Sequence, residues 1–88
     1  MEKVALEVGG NYLFESVTSN IYVGRLVAIV GPHTVVLADA AWVSETGRLN
    51  VFMREGRADG MEIEIVGTQG INWSGWRPWP HPLFEESV

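Results

Sequence analysis

IYVGRLVAIVGPHTVVLADA, residues 21–40, is the stretch that decides the fold. Residues 21–30 form a long, mostly apolar run, and residues 34–37 form a second run of β-branched and aliphatic side chains, as is typical of strands. The Gly31-Pro32-His33 segment between them predicts a turn, because proline cannot donate a ladder hydrogen bond. The stretch therefore predicts a β-hairpin. Gly24 within its first strand predicts a bend or bulge of the kind that curls a sheet into a small barrel.

Further strands are expected on both sides of this hairpin. Val4–Val8 and Tyr12–Val17 are short apolar runs that end at Gly9-Gly10 and at a polar Thr-Ser-Asn break. Residues 61–65 alternate strictly, with two glutamates on the face that we expect to lie in water. The GTQG segment at residues 67–70 predicts a turn that leads back into a last strand at residues 71–73.

One short helix is expected between the hairpin and the late strands, over residues 46–55. Residues 44–46 (Ser-Glu-Thr) offer N-cap side chains, and Gly56 stands where a C′ glycine belongs. A helix of this length does not persist alone, so it must dock on the sheet or on a neighbour. Its apolar stripe at positions i, i+3 and i+4 consists of Leu49, Phe52 and Met53.

The length and composition predict one domain, residues 1–88, with a modest core. The fold class expected is mainly β. It is a small, bent antiparallel sheet or an Sm-like or SH3-like barrel of five to six strands with one short α-helix. The absence of cysteine excludes disulfides, and His33 and His81 lack the spacing of a zinc ligand pair, so we expect no metal site and no cofactor. A core this small often needs further stabilisation, and with disulfides and a metal excluded we expect it to come from association into a homo-oligomer.

The net charge and the apolar pattern limit the classes of partner that the protein is expected to bind. Eleven acidic and six basic residues give a net charge of −5, which disfavours duplex nucleic acid because that affinity requires a basic surface. No apolar run approaches the roughly 20 residues that span a bilayer. The N-terminal MEKVALEVGG lacks the apolar core of a signal peptide. We therefore expect a cytoplasmic protein without a membrane partner.

Catalysis is not expected. A nucleophile requires a base within hydrogen-bond reach, and neither histidine lies in a Ser/His/Asp-type motif. Glu62 and Glu64 share a strand face that is expected to be solvated. Solvated carboxylates keep ordinary properties, so we do not expect these two to act as a general acid–base pair. The glycines are scattered at turns and form no phosphate loop. The sequence thus predicts no catalytic residues.

Arginine outnumbers lysine five to one, and arginine presents a planar fork to phosphate or carboxylate. Two interpretations stay open: these side chains form surface ion pairs, or they build an anion pocket at a subunit boundary. Trp42 is likewise either a packing plug or an aromatic floor on which a base stacks. The candidate ligand-binding residues are Trp42, Arg48, Thr46, Arg25, Arg54 and Arg57.

The segment WSGWRPWPHP carries three of the four tryptophans, at residues 73, 76 and 79. Residues before proline favour the polyproline II region, whose three-residue turn would place these tryptophans on one face. We call residues 73–84 the C-terminal strap, and expect it to pack on the sheet or to clasp a neighbouring subunit. The residues predicted for an oligomer interface are Trp73, Trp76, Trp79 and Phe52.

The order of motifs in residues 23–56 resembles a group of small phage-encoded proteins. The pattern they share is a strand with T-G-x-L/V, an AAW-(I/V)-x-x-TGR motif, a short helix and a W-x-H-x-L-P ending. The valine-glutamate-proline segment that follows the helix in that group is replaced here by ADGMEIEIVG. The resemblance spans roughly residues 12–84, and the matching positions are Gly24, Leu37, Ala40, Ala41, Trp42, Thr46, Gly47, Arg48, Trp79, His81, Pro82 and Leu83.

Small oligomeric phage proteins include sponges that bind cyclic nucleotides or cyclic ADP-ribose variants and withhold them from CBASS or Thoeris effectors. The resemblance thus implies a homo-oligomeric anti-defence protein that sequesters a nucleotide immune signal without cleaving it, in the host cytoplasm. Such a sponge requires aromatic stacking, arginine forks and a pocket that oligomer symmetry repeats. The alternative is a small phage β-barrel module that docks on a host or phage protein and takes no small-molecule ligand.

Overall fold

Four antiparallel strands and one short helix make up the fold in the computed structural model, which describes residues 5–85. The hydrogen-bonded strand order, β1-β2-β3-β4, closes on itself because β1 pairs with both β2 and β4. The mainly β class with one helix is confirmed, although the described strands number four rather than five or six. The elements are β1 (Asn11–Ser16), β2 (Ile21–Gly31), β3 (Thr34–Ser44), α1 (Leu49–Glu55) and β4 (Glu62–Pro78).

The predicted hairpin is confirmed as β2 and β3. Gly31 pairs with Thr34 across a two-residue turn at Pro32-His33. The register shifts at Gly24, as the glycine in this strand predicted. An added Cβ at Gly24 would lie 3.1 Å from the Cα and the Cβ of Ala40 and from the Cβ of Leu37. A glycine here lets β2 and β3 pack closely where the sheet bends.

Two predicted boundaries are wrong. Residues 5–7 are irregular and Val8-Gly9 is a turn, so the expected strand at Val4–Val8 does not form in its described part; Val4 lies outside the described residues. The GTQG segment does not reverse the chain. It lies within β4, a single strand of 17 residues. Gly67 adopts a φ of +70° at a register irregularity opposite Ala40, which bends the strand, and Gln69 then pairs with Leu37.

The buried side chains form two clusters on opposite faces of the strands. Tyr12 and Phe14 of β1 belong to the first, whereas Leu13 between them belongs to the second. The first core cluster consists of Tyr12, Phe14, Leu26, Val35, Leu37, Ala40 and Ile71. The second core cluster consists of Leu13, Val23, Ala41, Val43, Phe52 and Trp79. Because α1 packs on the second cluster and cannot fit within a four-stranded ring, that cluster lies on the outer face.

The first half of the C-terminal strap is a strand, so the polyproline II prediction is wrong. Residues 73–78 pair with β1, with Trp76 opposite Phe14 and Pro78 opposite Tyr12. Hydrogen-bonded pairing with β1 outweighs the bias that proline imposes on its neighbours, because the missing proline N–H falls at the strand end. The three tryptophans do not share a face: Trp73 and Trp76 pack on the first core cluster and Trp79 on the second.

The close approach at Gly24 gives a stability prediction. Gly24→Ala should lower the free energy of unfolding by about 1–3 kcal/mol, because the new methyl group meets the Ala40 backbone. Gly70→Ala is the matched control, since Gly70 also lies in a strand and has open space at its Cβ position; it should change stability by less than about 0.5 kcal/mol. Urea denaturation measures both, and equal stabilities would contradict close packing at Gly24.

Candidate functional site

The helix α1 is positioned by glycine geometry rather than by a side-chain N-cap. It begins after Arg48, which makes no capping hydrogen bond, so the predicted cap at residues 44–46 is wrong. The loop before it turns through Glu45 and Gly47, at φ values of +58° and +66°. At the other end Gly56 is left-handed and donates its N–H to the Phe52 carbonyl at 2.7 Å, as predicted for a C′ glycine.

The C-terminal strap fastens α1 to the outer face of the sheet. Phe52 is fully buried, and its ring centroid lies 5.2 Å from that of Trp79 and 6.4 Å from that of Phe84. His81 donates from Nε2 to the Met53 carbonyl at 2.7 Å, which satisfies one of the last carbonyls of the helix. The predicted stripe is confirmed, since Leu49 and Met53 also pack on the second core cluster.

A shallow groove of about 510 Å³ lies between α1 and the loop that follows it. We call it the α1 groove; it is lined by Thr46, Gly47, Arg48, Val51, Glu55, Arg57, Ala58 and Asp59. Two guanidinium groups and two carboxylates therefore meet a small apolar surface. Glu55 also lies 3.4 Å from the Nε of Arg54. Among residues 5–85, Arg48 and Arg57 have no carboxylate within 4.0 Å, so both forks can receive an anionic ligand.

The structure brings together three of the six predicted ligand residues, namely Thr46, Arg48 and Arg57. Arg25 instead pairs with Asp39, with 3.0 Å between Nη1 and Oδ2. Arg54 lies in the last turn of α1 and pairs with Glu55. Both ion pairs are exposed, so they contribute little to stability.

Trp42 does not line the α1 groove. It is half-buried on β3 and stands in register between Tyr22 of β2 and Glu64 of β4. Its neighbours Ala41 and Val43 belong to the second core cluster, so alternation along the strand turns Trp42 to the face away from α1. The groove therefore contains no aromatic floor.

The four residues predicted for an oligomer interface fall into two pairs. Phe52 and Trp79 are buried within the chain, where they hold α1 to the strap. Trp73 and Trp76 are partly exposed beside the first core cluster. Contact with a second subunit stays a prediction for this set, and partial exposure leaves only the second pair available for it without rearrangement.

Five groove residues were not among the predicted ligand residues, namely Gly47, Val51, Glu55, Ala58 and Asp59. The loop after α1 carried one local signal: the run of polar and small residues from Gly56 to Gly60 with two glycines. The left-handed φ values of these glycines, +77° and +75°, fold the loop back beside the helix. That return cannot be inferred from residue spacing alone, because it depends on where β4 begins.

No group of three or more His, Asp or Glu side chains between residues 5 and 85 is arranged to hold a metal ion. In the same residues no helix has the length and apolar character needed to cross a bilayer.

Comparison of the sequence with protein-family models and with curated proteins finds no match.

The clasp of the strap on α1 gives a second stability prediction. An added Cβ at Gly56 would lie 2.8 Å from the His81 ring, whereas at Gly60 it meets nothing within 4 Å. Both glycines are left-handed, so alanine causes similar backbone strain at each, about 1 kcal/mol. We expect Gly56→Ala to destabilise by about 1–3 kcal/mol more than Gly60→Ala, because His81 must leave Met53. Equal melting curves for the two variants would show that the clasp contributes nothing.

Proposed function

We propose that this protein is a homo-oligomeric binding protein that sequesters an anionic nucleotide signal in the α1 groove without cleaving it. The observation that carries the proposal is the meeting of Thr46, Arg48 and Arg57 around one groove. The resemblance to small phage-encoded proteins supplies the context. A cyclic oligonucleotide or a cyclic ADP-ribose isomer is the ligand class, and the cytoplasm of an infected host is the expected location.

The groove chemistry suits a phosphate-bearing ligand. Arg48 and Arg57 offer forked donors that bind phosphate oxygens in pairs, and such charge-assisted hydrogen bonds are about twice as strong as neutral ones. Gly47 has open space where a Cβ would lie, so a ligand can approach its backbone. Among residues 5–85, neither Arg48 nor Arg57 has a compensating carboxylate within 4.0 Å.

The two carboxylates of the groove should favour a nucleotide over a simple phosphate ion. Glu55 and Asp59 repel a phosphate placed beside them but accept hydrogen bonds from sugar hydroxyls or from a base edge. A nucleotide would therefore bind with its phosphates toward Arg48 and Arg57 and its donors toward the carboxylates. Inorganic phosphate has only its own one or two hydroxyl donors at neutral pH, so it should bind more weakly.

The size and shape of the groove are consistent with one small ligand. Its volume of about 510 Å³ lies within the roughly 300–1,000 Å³ typical of ligand pockets. The groove is open, so one chain covers only part of a ligand. Repetition of the groove by oligomer symmetry would add contacts from a second copy.

The barrel itself is proposed to be of the Sm-like or SH3-like type. Three strands bend sharply: β2 at the Gly24 irregularity, β3 at Asp39 with φ +52°, and β4 at Gly67. β4 changes its partner along its length, from β3 over residues 62–72 to β1 over residues 73–78. Strands that pass from one layer to the next in this way are how a small sheet closes on itself.

A second candidate function is a small phage module that docks on a host or phage protein. The observation that favours it is an exposed apolar segment on β2, where Ile29 and Val30 are 51% and 61% exposed. A stoichiometric host protein in a pull-down, combined with an unchanged melting temperature across a nucleotide panel, would favour this function over the sponge.

Substitution of the groove arginines tests the proposed ligand site. Arg48→Ala and Arg57→Ala should each weaken binding of a responsive cyclic nucleotide about tenfold or more, since a hydrogen bond to a charged group contributes about 1.5–3 kcal/mol. Calorimetry or the ligand-induced rise in melting temperature measures this change.

Arg54→Ala is the matched control, because Arg54 lies on the same helix, is exposed and does not line the groove. It should bind as the wild type does. Ligand recovered intact after heat denaturation is also expected. Equal losses in all three variants, or a cleaved nucleotide on chromatography, would contradict the proposal.

A further inference from the structure

The second half of β2 is an unpaired sheet edge. β1 pairs with β2 from Ile21 to Arg25, and Gly9 and Gly10 add hydrogen bonds to Leu26. The chain then turns away through Gly9, at φ +98°, so in residues 5–85 the segment from 27 to 31 pairs only with β3. One side of its backbone therefore presents N–H and C=O groups that no other described strand satisfies.

The side chains of this edge are apolar and exposed. Val27, Ile29 and Val30 are 37%, 51% and 61% exposed. A register shift between Ile29 and Gly31 lets the adjacent Ile29 and Val30 both face solvent. From Leu26 to Gly31 there is no charged residue.

The first half of β4 is also paired on one side only, but its edge is charged rather than apolar. The first half of β4 pairs with β3 alone, and its outer residues Glu62 and Glu64 are exposed. Charged side chains of this kind normally protect a sheet edge from pairing. The β2 edge carries no such protection, which indicates that a partner strand covers it.

We propose that β2 pairs antiparallel with β2 of a second copy of this chain, about a two-fold axis within residues 27–30. Self-complementarity selects this occupant. Each copy carries a net charge of −5, which opposes association over most faces, whereas residues 26–31 bring no charge to the contact. The two-fold axis places the same uncharged, apolar segment on both sides of the contact, and the pairing closes after two copies because each edge is used once.

This inference deepens the proposed function by naming a surface for its homo-oligomer, and it rests on the proposed self-association but not on the ligand. No residue of β2 lines the α1 groove. A single strand pair is a small interface, so the association should be concentration-dependent. A host protein strand on the same edge is the competing occupant, and the experiment below separates the two.

Sedimentation velocity of the full chain tests the pairing. Across ~1 µM to ~1 mM, a range that brackets small interfaces, the wild type should shift from the 9.7 kDa chain to twice that mass. Val30→Lys should shift the dissociation constant upward at least tenfold, because a charged side chain on an edge strand opposes its pairing with another strand. Val17→Lys is the matched control, since Val17 is an equally apolar, 64% exposed residue in the β1–β2 turn; it should dimerise as the wild type does.

Cysteine cross-linking gives a readout that does not depend on tolerance of the lysine. The chain has no cysteine, and directly opposed antiparallel residues have Cα atoms about 4.5–5.5 Å apart, within disulfide range. Among single cysteine variants at residues 27, 28, 29 and 30, at least one should form a covalent dimer under mild oxidation, because the residue on the axis faces its own copy, whereas Val17→Cys should stay monomeric. A wild type that remains at 9.7 kDa throughout, Val30→Lys association equal to that of the wild type, or equal cross-linking at residue 17 would each overturn the pairing.

Discussion

Pairing of the chain's last strand segment with its first strand is the contact on which the rest of the structure depends. Residues 73–78 add a second neighbour to β1, and this contact closes the ring of four strands. The ring of Trp76 lies edge-on to that of Tyr12, with 5.5 Å between the ring centroids, and the ring centroids of Trp73 and Phe14 are 6.3 Å apart. The two tryptophans thus complete the first core cluster. A chain of 88 residues without cysteine has no disulfide to hold its ends. Strand closure and aromatic packing perform that role instead.

Closure also determines where the groove can form. The outer face of β1, β2 and β3 carries Leu13, Val23 and Val43, which would be exposed if nothing covered them. The helix α1 and the end of the strap cover this face together, joined by the contact of Phe52 with Trp79. The segments that flank α1 are thereby held on the surface, with Arg48 at one end and Arg57 at the other. The position of the α1 groove is thus a consequence of how the second core cluster is covered.

The sequence predicts the local elements well because their signals are local. The β2–β3 hairpin follows from strand propensity and one turn, and α1 follows from three apolar positions and Gly56. The bend at Gly67 was missed because a glycine beside threonine signals a change of direction but not whether the strand stops. The strap was misread because its partner, β1, is some 60 residues away along the chain.

The candidate site was predicted only in part for the same physical reason. Thr46 and Arg48 lie together in the AAWVSETGR motif, yet Trp42 of that motif faces the opposite side of the sheet because strand residues alternate. Arg57 joins the groove through the fold of the loop after α1, and Arg25 is held elsewhere by Asp39. Residue type indicated arginine-based anion binding, whereas the choice among the arginines depended on tertiary structure.

A titration of the ¹⁵N-labelled protein with cyclic dinucleotides and cyclic ADP-ribose isomers, followed by ¹H–¹⁵N correlation spectra, tests the proposed ligand site most directly. The amide shifts should concentrate in residues 46–51 and 55–59, the two segments that line the α1 groove. Amides in the first half of β4, around Glu62 and Glu64, should stay unchanged. Shifts centred on Trp42 and Tyr22, or spectra that no member of the panel alters, would contradict a nucleotide site in the α1 groove.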